Sequence, residues 1–271
     1  MTDDARAEPF YSRSLNAETY DLGIGRGGRG LGEDVAFYLD VARGAGGRVL
    51  ELGSGTGRVT ISLAQAGCVA VGVDRSAAML AGAESNRRAL APEVQARLRF
   101  VKADMVDFDL GESFDAVVIP FRSFMCLLDP AAQRRCLGRV RAHLRPGGVL
   151  AFALFDPRLD LCVPGVFEPR SDRGIDPRTG HTIEVEVLAR TNDPLTQVLH
   201  ETWRFTELDP AGTILRSEEE VLSMRWTYRH EMHHLLELAG FDVVGEYSDF
   251  DRSPPSYGRE QVWVARRPVM S

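Results

Sequence analysis

The chain has 271 residues, 44% of them hydrophobic and 26% charged, enough to bury one substantial core and to form one large domain or one domain with an insertion. A net charge of −7 argues against broad binding to a phosphate backbone, which needs clustered Lys and Arg, so nucleic acid is not an expected partner. No apolar run approaches the roughly 20 residues of a membrane helix, and the opening MTDDARAEPF has neither the basic start nor the apolar stretch of a secretory signal, so a cytoplasmic location is expected.

In chain order, residues 1–10 read as frayed, and a loop follows in which Gly23, Gly25, Gly27, Gly28, Gly30 and Gly32 surround Arg26 and Arg29. Such a loop can move, and residues 1–32 are expected to act as a tail and lid. Val35, Phe37, Tyr38 and Val41 recur with helical period, so a helix over 34–42 leads into a strand over 48–52. Alternation follows: a helix 58–66, a strand 68–73, a helix 77–90, a strand 98–102, a strand 114–119 and a helix 130–144. After the turn Arg145-Pro-Gly-Gly148 comes a strand 149–155. Strands and helices in this order require parallel pairing with right-handed crossovers, hence a doubly wound Rossmann-like α/β sheet. The stretches VLEL, VAVGV and AVVI are continuously apolar, as strands covered on both faces should be.

The pattern changes after Pro157. Extended segments at about 182–190, 197–207 and 213–225, separated by the turn signals Asn192-Asp-Pro194 and Asp209-Pro-Ala-Gly212, predict an antiparallel meander inserted over 158–228. A helix over 229–238 ends at Ala239-Gly240, and strands 241–246 and 261–265 complete the core begun at residue 33.

The chemistry concentrates at Val49-Leu-Glu-Leu-Gly-Ser-Gly-Thr-Gly57, a strand that stops at a glycine turn and continues as a helix. That arrangement brings backbone close to a ligand and aims helix N–H groups at it. A dinucleotide fold wants G-x-G-x-x-G, but the third position here is Arg58, and no Gly-Lys-Ser/Thr follows to make a phosphate-binding Walker loop. Asp74 ends the second strand, where a carboxylate can accept both hydroxyls of a ribose. Asp104 follows the third strand beside Met105, placed to meet an adenine amino group, and Pro120 and Phe121 end the fourth at the mouth where open parallel sheets take ligands.

Taken together, VLELGSGTGR, VGVDRSAAML, VKADMVDF, FDAVVIPF and LRPGGVLAF resemble, in order and spacing, the class I S-adenosylmethionine-dependent methyltransferases of the small-molecule type. The resemblance implies a seven-stranded sheet in the order 3-2-1-4-5-7-6 with the last strand antiparallel. It also implies S-adenosylmethionine as cofactor and S-adenosylhomocysteine as its product. Glu51 would orient the methionine part, Gly53, Ser54, Gly55, Thr56 and Gly57 would pass beneath it, Asp74 would hold the ribose, and Arg75 beside it would belong to the cofactor site. Ala103, Asp104, Met105, Pro120 and Phe121 would complete the adenosyl side. Met79 matches a position that packs near the adenosyl group, and Tyr20, in Glu18-Thr-Tyr-Asp21, is similar to the N-terminal tyrosine that lies over the cofactor. The N/D-P-P-Y signature of amino-group modifiers of DNA and proteins is missing, since Ile119-Pro-Phe-Arg122 stands there.

Methyl transfer from a sulfonium is an in-line displacement, so the protein mainly positions the nucleophile and excludes water, and a general base is needed only for an acceptor that keeps its proton. The catalytic group is therefore unknown, with His200, His230 and Arg122 as candidates. His200 and Arg204 are expected on one face of the inserted meander, with Glu201, Trp203 and Phe205 on the other. His230, His233 and His234 lack the H-E-x-x-H arrangement, and Cys68, Cys126, Cys136 and Cys162 lack metal-type spacing, so no metal is expected and the cysteines read as reduced, mostly buried residues. The predicted function is methyl transfer to an oxygen or nitrogen of a small molecule, with natural-product biosynthesis as the setting. A non-catalytic S-adenosylmethionine-binding regulator and a methyltransferase of protein or RNA are the alternatives, and homodimerisation is left open.

Overall fold

The computed structural model describes residues 10–11, 14–25, 32–162, 165 and 167–269. The elements are α1 (Ser14–Thr19), α2 (Glu33–Ala45), β1 (Arg48–Leu52), α3 (Arg58–Gln65), β2 (Val69–Asp74), α4 (Ala77–Arg88), α5 (Pro92–Gln95) and β3 (Leu98–Lys102). They continue with β4 (Phe114–Ile119), α6 (Pro130–His143), β5 (Leu144–Phe155), α7 (Leu159–Cys162), β6 (Arg170–Ile175), β7 (Thr182–Asp193) and β8 (Val198–Leu208). The chain closes with β9 (Ile214–Arg225), α8 (Arg229–Leu238), β10 (Asp242–Tyr247) and β11 (Glu260–Arg266). No helix among the described residues is long and apolar enough to cross a membrane.

The main sheet runs β3-β2-β1-β4-β5-β11-β10, the expected order. β1 to β5 pair in parallel, and β11 lies antiparallel to both β5 and β10. Strand alternation sorts the central side chains into two layers. Leu50, Leu52, Val71, Val73, Val117 and Ile119 join the layer that holds Leu137 of α6 and Leu236 of α8. Val49, Ala70, Ala116 and Val118 join Phe37 and Tyr38 of α2 and Leu63 of α3 on the other face. Covering on both faces explains why all six residues of β4 are buried and apolar apart from Asp115.

Helix ends follow local chemistry. Ser76 caps α4 by accepting the N–H of Met79 at 3.2 Å, and Asp129 caps α6 by accepting that of Ala132 at 2.8 Å, with Pro130 following it. Gly240, at φ 77°, ends α8 in the left-handed conformation that glycine favours.

The insertion forms a second sheet in the order β6-β7-β8-β9. Asp193 and Asp209 build its turns by accepting the N–H groups of Leu195 and Ala211, each at 2.9 Å. It has four antiparallel strands instead of the three expected. The additional one, β6, is an edge strand of sequence RSDRGI whose side chains are nearly all exposed, so it carries no apolar alternation to mark it.

A further difference concerns the N-terminus. Residues 14–22 are ordered as α1 and a 3₁₀ turn over Tyr20–Leu22, not as loop. Gly27, Gly28, Gly30, Arg26 and Arg29 of the expected lid, and the first nine residues, lie outside the described residues. Cys68, Cys136 and Cys162 are buried, as expected of most of the four, and Cys126, at the end of the turn that leaves β4, is exposed.

Candidate active site

The glycine loop leaves β1 with Gly53, Gly55 and Gly57 at φ 72°, 55° and 88°, where other residues are strained. Gly53 and Gly57 are also required by close packing. A Cβ on Gly53 would lie 2.5 Å from the Ser123 hydroxyl, and one on Gly57 would lie 2.5 Å from the Phe100 ring. A Cβ on Gly55 would meet nothing within 4 Å, so this glycine borders open space. Beside it, the Ser54 hydroxyl is buried with no hydrogen-bond partner among the described residues.

Glu51 is buried at the end of β1, and the Thr60 hydroxyl of α3 donates to it. Burial pushes its carboxyl up to about 8, against the lowering effects of the Thr60 hydrogen bond and the Arg58 charge. Arg58, which stands where a dinucleotide loop would have its third glycine, forms a two-pronged pair with Asp34 of α2 at 2.5 and 2.7 Å. Burial alone would lower its affinity for the proton, but Asp34 raises it on balance. The guanidinium also lies 6.0 Å from the Phe121 ring. It joins α2 to α3 and reaches the turn after β4.

Asp74 ends β2 with each carboxylate oxygen holding the loop, one accepting Gly55 N–H and the other Ser76 N–H, both at 2.8 Å. Burial raises its carboxyl above the ordinary range despite those N–H groups. A carboxylate has about four lone-pair positions, so acceptor capacity remains for hydroxyl donors. After β3, Ala103 donates to the Asp74 carbonyl at 3.1 Å, and Asp104 turns the chain by accepting Val106 N–H at 3.0 Å. Met105 sits between the core and the glycine loop, with its methyl group near Gly53. After Pro120, Phe121 and Arg122 take left-handed φ values of 52° and 66°, strain of the kind that gathers at functional sites.

Tyr20 and Met79, separated by 59 positions in sequence, pack in one cluster with Ala17 and are flanked by Tyr11 and Ala78. Tyr11 meets Tyr20 edge-on at 5.3 Å, and its carbonyl accepts the Ser76 hydroxyl at 2.7 Å. From the opposite side, Glu220 of β9 accepts Asn16 Nδ2–H at 2.6 Å, and Glu218 accepts Leu15 N–H at 3.1 Å. The N-terminal segment is therefore held between α4 and the second sheet. The inner face of that sheet turns Phe205, Ile183 and Val185 onto Leu15, while the end of β9 packs on the turn Ser123–Cys126 after β4.

The three catalytic candidates do not come together. His200 is exposed on the outer face of β8 and bonded to Ser223 at 2.7 Å, because alternation gives the inner face to Glu201, Trp203 and Phe205. His230 is exposed in the first turn of α8, which packs against β10 at the sheet edge. Arg122 does stand at the mouth, paired with Glu260 at 2.5 Å and over the Phe155 ring at 5.5 Å. A guanidinium cannot be deprotonated at ordinary pH, so it can orient a group but not act as a base. Asp21, Asn86, Glu218 and Glu220 were not legible as site neighbours; only Asp21 carries a signal, its position next to Tyr20.

Comparison with known proteins fits this arrangement. A methyltransferase-domain family profile matches residues 49–148, and the cypemycin N-terminal methyltransferase of a Streptomyces species is 32% identical over 265 residues, 96% of this chain and 99% of that protein. This chain belongs to the class I S-adenosylmethionine-dependent methyltransferases. Among solved structures, the CcbJ methyltransferase from Streptomyces caelestis superposes on this methyltransferase with a TM-score of 0.74 at 26% identity, covering 96% of this chain and 98% of that one. An amino pentose methyltransferase from Micromonospora echinaspora, solved with S-adenosylmethionine bound, gives a TM-score of 0.68 at 26% identity, covering 92% and 96%. The cofactor of this methyltransferase is S-adenosylmethionine. The open space at Gly55, the unpartnered Ser54 hydroxyl and the spare lone pairs of Asp74 fit that cofactor.

Proposed function

We propose that this methyltransferase transfers the methyl group of S-adenosylmethionine to an amine nitrogen of a small molecule in natural-product biosynthesis. One observation carries the choice of nitrogen. The ends of β1 to β4 converge beside the N-terminal segment, on which the second sheet packs, while all six histidines of the chain are engaged or exposed elsewhere. His143 accepts Leu110 N–H at 3.0 Å, His181 pairs with Glu207 at 2.7 Å and His233 with Glu246 at 3.0 Å. His234 lies 3.7 Å from Glu237, and His200 and His230 lie as described above. A hydroxyl acceptor that keeps its proton would call for a base, the part histidine takes most often. An amine needs only to lose its ammonium proton to solvent, after which its own lone pair attacks.

The cofactor supplies an electrophilic methyl group on a sulfonium. Asp74 would accept the ribose hydroxyls, Asp104 the adenine amino group, and Glu51 would orient the methionine part. Tyr20 and Met79 would flank the adenosyl group, Pro120 and Phe121 would border it, and Arg122 with Ser123 would face the acceptor. Names among the relatives support an amine: one methylates an N-terminus, and another acts on an amino pentose. The covering sheet and the acidic net charge favour a small acceptor over RNA.

The test is turnover with methyl-¹³C-labelled cofactor on panels of amino sugars, peptide amines and matched alcohols. The expected result is N-methyl product, with a rate that rises with pH until the acceptor ammonium has lost its proton. Methylation of alcohols only, or of RNA or folded protein only, would overturn the assignment, and cofactor binding with no turnover on any acceptor would favour the regulatory reading.

A further inference from the structure

The glycine loop poses a problem that its own residues do not solve. Three glycines in five positions have little conformational preference, yet a cofactor needs one loop shape before it arrives. Thr56 is the side chain between Gly55 and Gly57, and it is buried. Its hydroxyl donates to Asp21 Oδ1 at 2.6 Å. Asn86 of α4 donates to Asp21 Oδ2 at 3.0 Å and to the Thr56 carbonyl at 3.1 Å. Asp21, Thr56 and Asn86 thus close a ring of hydrogen bonds around the middle of the loop. On α4, Gly82 leaves room for the Thr56 methyl, since a Cβ there would come within 3.2 Å of it.

Asp21 itself is exposed and lies in the 3₁₀ turn Tyr20–Leu22, which ends at Gly23 with φ 72°. It contributes little to the core. The residue before it, Tyr20, is buried against Met79. One short turn therefore grips the glycine loop from outside and seats a tyrosine at the adenosyl side.

We propose that Asp21 is a positioning residue for the cofactor: through Thr56 it fixes the shape of the glycine loop, and in the same turn it seats Tyr20. This rests on the reading of the strand ends as the S-adenosylmethionine site. An alternative in which the ring merely staples the N-terminus to the fold predicts a change in stability without a change in cofactor affinity.

The experiment is a double-mutant cycle of Asp21→Ala and Thr56→Val, read by calorimetric titration with S-adenosylhomocysteine alongside thermal denaturation. Each single variant is expected to bind about 5- to 30-fold more weakly, with a small change in melting temperature. Both remove the same hydrogen bond, so the double variant should bind no more weakly than about the worse single. In turnover, KM for S-adenosylmethionine should rise while kcat at saturating cofactor stays within about twofold. Asp21→Asn keeps an acceptor for the Thr56 hydroxyl and should recover part of the affinity. It also serves as the reading variant, with Thr56→Val, if Asp21→Ala does not fold. Parent-like affinity in the Asp21 variants, or effects that multiply independently, would overturn the proposal. Failure of the parent to bind S-adenosylhomocysteine would instead overturn the cofactor reading on which it rests.

Discussion

Glu51 shows how the site uses burial. Its carboxyl is enclosed at the end of β1 and its proton is held up to about 8, compared with an ordinary 4.5. The folded protein therefore binds this proton more tightly than the unfolded chain does. The associated stability is fully present below about pH 4.5, declines as pH rises and is lost above about pH 8. Glu51→Gln is neutral at every pH and keeps an acceptor for the Thr60 hydroxyl. Its melting temperature should therefore gain on the parent's from about pH 4.5 to about pH 8 and then hold a constant lead. Parallel curves over that range would show that Glu51 is ionised in the fold. The sequence marks Glu51 as a strand-end acid, but its enclosure and its bond from Thr60, nine residues away on α3, come from tertiary packing that no local pattern reveals.

Among the elements, the glycine loop separates packing from ligand space. Gly57→Ala would place a methyl 2.5 Å from the Phe100 ring on a left-handed backbone, whereas Gly55→Ala bears the backbone strain alone. The expectation is that Gly57→Ala loses clearly more than about 1 kcal/mol of stability. Gly55→Ala should lose about 1 kcal/mol of stability but most of its S-adenosylhomocysteine affinity, since its methyl enters the space the cofactor needs. Denaturant unfolding and calorimetry on the two variants check both. Equal damage to folding, or intact affinity in Gly55→Ala, would remove Gly55 from the cofactor's border. Elements were legible where burial dictated composition. β1, β2 and β4 are apolar runs covered on both sides and stand where the sequence puts them. β6 is a polar edge, and α1 is six residues held by Glu218 and Glu220, more than 200 positions away, so neither leaves a local signature.

At the scale of the molecule, the second sheet is fastened to the first around Arg225. This buried guanidinium, at the end of β9, donates to Glu231 of α8 at 2.7 Å, to Gln197 at 3.0 Å and to Gln133 of α6 at 3.1 Å. These bonds tie the second sheet to α6 and α8, the helices that pack on the first. The inner face of β8 packs through Phe205 on Leu15 of the N-terminal segment, while His200 lies on the outer face. Sequence alternation correctly assigned His200 and Glu201 to opposite faces, but which face meets the site depends on how the sheet is seated.

The whole arrangement leads back to Asp74, the acid at which the glycine loop, α4 and the cofactor's ribose are expected to meet. Calorimetric titration of the parent and of Asp74→Ala with S-adenosylhomocysteine tests the account most directly. The parent should bind, and the variant should lose about 1–3 kcal/mol of binding free energy with the ribose hydrogen bonds. Unchanged affinity would contradict the placement of the cofactor at the ends of these strands.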